Sequence, residues 1–65
     1  MNVKYVNRLG HQIRIDRNSE IRPLKGEHVS LLLDGSMQTF EVINIVNCVD
    51  GDSGGFIIAQ LDIIK

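Results

Sequence analysis

Apolar and polar residues alternate with a period of two along most of this chain. Val3 and Tyr5 flank Lys4. Ile13 and Ile15 share one face of the run from His11 to Asp16, with Gln12, Arg14 and Asp16 on the other. Val29, Leu31 and Leu33 share a face of the run from His28 to Leu33. Successive side chains of a strand point to opposite sides, so this period predicts half-buried β-strands. A fourth strand is predicted over roughly Gln38 to Val49, rich in Val, Ile and Thr, and a fifth over Phe56 to Leu61.

Turn residues punctuate these runs. Asn7-Arg8-Leu9-Gly10 separates the first two and predicts a hairpin, and Asp34-Gly35 predicts a tight two-residue hairpin between the third and fourth. Pro23 cannot donate to a ladder and Gly26 supplies a turn conformation, so residues 17–27 read as a connection. In the fourth strand Phe40 and Val42 share a face. An extra residue near Ile43-Asn44, a β-bulge, would return Ile45 to that face. The expected fold is all-β: a small barrel or sheet of about five antiparallel strands in one domain spanning residues 1–65.

Length sharpens the expectation. A domain of 65 residues buries only about 60% of the surface its unfolded chain exposes. Cys48 is the sole cysteine, which excludes an intrachain disulfide. His11, His28 and Cys48 lack paired metal-ligand spacing, so no cofactor is expected. A second copy, most simply in a dimer, is then the expected source of extra stability. The fourth and fifth strands are apolar on both sides, and a five-stranded domain has one interior. Ile43, Ile45, Ile57, Ala59 and Leu61 are therefore the expected partner-binding set, with Phe40, Val42, Phe56 and Ile58 facing in. No apolar run approaches the length of a signal peptide core or a membrane span, so a cytoplasmic protein without membrane partners is expected.

The net charge of −1 hides an asymmetry. Residues 1–28 carry a net +3, through Lys4, Arg8, Arg14, Arg17, Arg22 and Lys25, whereas residues 29–65 carry −4. Those six cations are the candidate nucleic-acid-binding set, with Arg14 on the outward face of its strand. Against that use, Tyr5, Phe40 and Phe56 are the only aromatics available for base stacking.

Catalytic motifs are weak. Gly51-Asp52-Ser53-Gly54-Gly55 matches the nucleophile segment of trypsin-like proteases over five residues. It fails at Phe56, where that family has proline, and the chain has no room for the two-barrel scaffold that holds the base and acid. Asp50 and Asp52 begin a calcium-loop pattern that breaks at Gly54 and Leu61. A Gly-rich hairpin loop needs the same residue types, and no enzymatic activity is expected.

The run Pro23-Leu24-Lys25-Gly26-Glu27-His28-Val29-Ser30-Leu31, followed by Phe40-Glu41-Val42 and Ile45-Val46, resembles small SH3-like barrels. In these a Pro-x-x-Gly-Asp/Glu-x-Val turn opens a strand, and an aromatic-x-Val pair begins a bent one. Short proteins of bacteriophages and mobile elements share this look, and modules of the KOW type share the Gly-Asp/Glu-x-Val opening. The first resemblance implies a non-enzymatic interaction protein, such as an inhibitor of a bacterial defence or nucleic-acid enzyme, or a structural phage subunit. The second implies a nucleic-acid-binding barrel.

Overall fold

The computed structural model describes residues 1–49 and 54–64. Five strands follow in chain order: β1 (Asn2–Val6), β2 (Gln12–Asp16), β3 (His28–Leu33), β4 (Ser36–Cys48) and β5 (Phe56–Ile63). No helix occurs among the described residues. The strands form one sheet in the order β2-β1-β5-β4-β3. The fold is all-β, as the alternation predicts. One of its four pairings departs from the expected antiparallel pattern: β1 lies parallel to β5, with Val3 opposite Ile57 and Tyr5 opposite Ala59. This single seam joins an N-terminal hairpin, β1-β2, to a meander, β3-β4-β5.

Local chemistry fixes the turns. Asn7 Oδ1 accepts from the amides of Leu9 and His11, each at 2.9 Å, and holds the β1-β2 turn. The two-residue loop between β3 and β4 has Asp34 at φ 48° and Gly35 at φ 80°. Two successive positive φ values match the right-handed twist of the strands, and Asp-Gly tolerates them. At the entry to β3 the Leu24 amide donates to Glu27 Oε1 at 3.0 Å, and the Glu27 amide returns to the Leu24 carbonyl at 3.1 Å. Pro23 is buried beside this turn.

Two bulges bend the sheet. In β4 the register with β5 shifts between Val42 and Asn44, leaving Ile43 as the extra residue. Ile45 then falls opposite Ala59 and packs on the core, the outcome a bulge allowed, which removes it from the expected partner-binding set. A second shift lies between β1 and β2. Val6 pairs with Gln12 but Tyr5 pairs with Arg14, so Ile13 is unopposed. This bulge overturns the expected facing of β2. Directly opposed residues share a face, so Arg14 sits with Tyr5 and Asp16 with Val3 on the concave side. Ile15 turns to the convex side and is 40% exposed.

The core fills the concave face. Val3, Tyr5, Leu31, Phe40, Val42, Ala59 and Leu61 are buried there, with Ile13, Val29, Leu33 and Ile45 packed against them. The facing expected for β5 is reversed. Ile57, Ala59 and Leu61 are 2%, 0% and 1% exposed, whereas Phe56 is 38% exposed and Ile58 lies on the convex side opposite Val46. Gln60 and Asp62 share the parity of Phe56 and Ile58, so the polar residues of β5 mark that side as the outward one. The strand's facing is set by register with β1, where Tyr5 and Val3 occupy the interior.

Candidate functional site

The partner set expected from sequence divides on this fold. Ile57, Ala59 and Leu61 belong to the core and present nothing to a partner in this arrangement. Ile45 packs on the core, and Ile43 is half-buried at the β4 bulge. The outward apolar residues are others, among them Ile15, Ile58 and Val46. Ile15, Lys4, Ile58 and Val46 lie in one row across the convex face of β2, β1, β5 and β4, since each is directly opposite the next. Phe56 and Cys48 form the adjacent pair. Val46 is 46% exposed. Parity after a bulge is the signal that separates this row from the core, and the sequence marks only one of the two bulges.

The basic residues are likewise divided. Lys4 and Arg17 line one cavity, about 310 Å³, with Asn2, Ile15, Gly55 and Phe56. Arg8 lies in the β1-β2 turn and lines a second cavity at the other end of the hairpin. Arg14 faces the concave rim, where its Nε donates to Asp16 Oδ1. Arg22 and Lys25 sit exposed in the 17–27 connection. Six cations that could have formed one stripe thus occupy four places.

The second cavity, also about 310 Å³, is lined by Ile13, Leu33, Phe40, Leu61 and Ile63, with Asn7, Arg8, Gln38 and Asp62 at its margin. It opens the core to the surface between β2 and β3, the two strands that end the sheet. No Cα of β2 lies within 8 Å of a Cα of β3. The gap is crossed by one side-chain bond, Arg14 Nη1 to the Leu32 carbonyl at 3.4 Å. Beneath it Tyr5 is buried, and its phenol pKa is raised, mainly by desolvation and further by the Asp16 carboxylate, with Arg14 acting in the opposite sense.

The histidines and the thiol stand apart. His11 is exposed in the β1-β2 turn and His28 at the start of β3, while Cys48 is half-buried at the end of β4. Among the described residues no three His, Cys, Asp or Glu side chains converge in a metal-holding group. Asp50, Gly51, Asp52 and Ser53, the residues of the protease-like and calcium-like strings, lie outside the described residues, as does Lys65. No family model, no curated protein and no solved structure matches this chain.

Proposed function

We propose that this protein is a non-enzymatic interaction module that works by docking to another polypeptide. The observation that carries this reading is the convex row Ile15-Lys4-Ile58-Val46 with Phe56 beside it. Its apolar side chains come from β2, β5 and β4, with the Lys4 stem on β1 between them, on the side of the sheet away from the core. Five strands enclose one interior, and a second apolar face gains stability when another surface covers it, at roughly 25 cal/mol per Å² removed from water. The resemblance to small phage-type barrels gives the reading a narrower form: an inhibitor that occupies a bacterial defence or nucleic-acid enzyme in the host cytoplasm. A second copy is the alternative occupant of the row.

The test uses the whole chain as bait in a bacterial lysate, with light scattering of the purified protein alongside. A captured protein or a defined dimer is expected, and it is lost in Val46→Glu and Ile15→Glu variants whose circular dichroism is unchanged. Capture and self-association that both survive the two charges would refute the docking row.

A second reading rests on one observation. Lys4, Arg17 and the exposed Phe56 surround a single cavity, which joins phosphate-neutralising charge to a stacking surface. Electrophoretic shift with single-stranded and duplex oligonucleotides tests it. Binding that weakens steeply with salt and is lost in Phe56→Ser supports it. No shift at low salt removes it.

A further inference from the structure

We infer that the gap between β2 and β3 is an acceptor for one extended peptide strand, and that the segment it takes has apolar residues at alternate positions and a carboxylate that meets the outer nitrogens of Arg14. The inference rests on the interaction-module reading and names a partner chemistry for a different surface from the convex row.

Width comes first. No Cα of β2 lies within 8 Å of one of β3, yet a single arginine side chain bridges them, from Arg14 Nη1 to the Leu32 carbonyl. An extended arginine plus a hydrogen bond reaches no more than about 12 Å between backbones. One inserted strand needs two interstrand spacings, roughly 9.6 Å. The gap is therefore too wide for β2 and β3 to pair, and at Arg14 and Leu32 its bounds include the width of one further strand.

Free backbone groups come second. Val42 donates to the Glu27 carbonyl and accepts from the Gly26 amide, which extends the β3-β4 ladder through odd-numbered residues of β3. Amide and carbonyl groups alternate sides along a strand, so His28, Ser30 and Leu32 turn theirs toward the gap. The Leu32 carbonyl, which accepts from Arg14 across the gap, fits this assignment. Edge strands are usually blunted by charge, proline or a bulge. β2 carries such devices, with its bulge at Ile13 and the inward-facing Arg14 and Asp16. β3, His-Val-Ser-Leu-Leu-Leu, carries none. β2 and β3 run antiparallel to one another by the sheet order. An inserted strand is thus parallel to one and antiparallel to the other.

Side-chain chemistry comes third. At one end the gap opens into the cavity lined by Ile13, Leu33, Phe40 and Leu61, which takes the inward-facing apolar residues of the guest. The β1-β2 hairpin that lines the gap brings Arg8 to the cavity beside Asp62, and Arg14 to the rim, where Asp16 takes only its Nε and the outer guanidinium nitrogens are the donors left for a guest. Insertion removes the long bond to the Leu32 carbonyl and leaves the outer guanidinium nitrogens of Arg14 facing the guest, where a carboxylate replaces the lost acceptor.

The probe is a fluorescein-labelled seven-residue peptide alternating glutamate and valine, titrated with the full chain by fluorescence anisotropy. Saturable binding is expected, about tenfold tighter than that of the lysine-valine counterpart. The preference disappears in Arg14→Gln. Ser30→Pro, which removes a gap-facing donor and leaves the β3-β4 ladder intact, weakens binding by about tenfold. Because that variant alters the protein, the peptide is also N-methylated on alternate amides. Loss of binding with either set of amides blocked supports insertion between two edges. No binding of the unmodified peptide, or binding indifferent to N-methylation, overturns the acceptor site. Capture of a partner that depends on the Val46 row, with no peptide binding, would sink this inference and leave the broader reading standing.

Discussion

Arg14 and Leu32 stand on the two free edges of the sheet, and the 3.4 Å bond from the guanidinium to the carbonyl is the strut between them. The same guanidinium is held by Asp16. Both side chains are partly exposed, at 40% and 27%, so solvent screening keeps the pair weak. Arg14→Gln is expected to lower stability by about 0.5 kcal/mol or less. That corresponds to a melting shift of roughly 2–4 °C in a domain this small, read by thermal unfolding at low and high salt. A loss above about 2 kcal/mol would mean that the strut, and not the core, holds the edges in place.

Tyr5 predicts how the fold responds to alkali. Its phenol pKa is raised in the folded state by burial and by Asp16. The neutral form is thus preferred on folding. Above about pH 10 the unfolded chain loses the proton that the folded chain keeps, so stability falls as pH rises from there toward the raised folded value. Below that window the contribution is fully present. Tyr5 is the only tyrosine and the chain has no tryptophan, so tyrosinate absorbance follows this one group. Native protein should titrate later than urea-unfolded protein. Coincident curves would contradict the burial of the ring.

Leu61 separates core from surface on β5. It is 1% exposed, and Leu61→Ala is expected to cost about 2–5 kcal/mol. The total stability of a domain this size is roughly 3–10 kcal/mol, so the variant should lose a large share of it, read as a much lower midpoint of unfolding by circular dichroism. Val46→Ala on the convex row should change stability by no more than about 0.5 kcal/mol. A stable Leu61→Ala beside an unfolded Val46→Ala would reverse the facing of the whole sheet.

Gly55 admits no side chain. Its φ is +94°, and a Cβ there would lie 2.2 Å from the Cys48 carbonyl oxygen. Gly54, at φ +86°, has open space around it. Gly54→Ala should therefore cost about 1 kcal/mol of backbone strain, and Gly55→Ala clearly more, about 3 kcal/mol or above. Chemical denaturation of the two variants measures the difference, and equal losses would contradict the close approach at Cys48.

What the amino-acid pattern discloses depends on whether a local signal exists. The Asp34-Gly35 hairpin and the place of the β4 bulge are readable, because turn chemistry and the Phe40-Val42 parity announce them, although Ile45 still falls in the expected outward set. The bulge at Ile13 has no such marker. Gln12-Ile13-Arg14-Ile15-Asp16 alternates cleanly, and only pairing with Tyr5 and Val6 shows the extra residue. The facing of β5 and its parallel seam with β1 are set by contacts some 54 residues apart, as between Val3 and Ile57. Gln60 and Asp62 do record the facing, by sharing the outward parity of Ile58, but no neighbouring residue records the seam. The candidate site suffers most from this, since one misread parity exchanges Leu61 for Ile58.

The parallel seam bears on the order in which the chain can assemble during its synthesis. The β1-β2 hairpin is made before the other three strands, yet its only partner in the sheet is β5, the last of the five to be made. Until then Val3 and Tyr5 have no neighbour on that side, and the nascent hairpin remains greasy and unclosed. Productive collapse is thus deferred until Phe56–Ile63 has been made, and a ribosome stalled before Phe56 would hold two fragments with no means of joining.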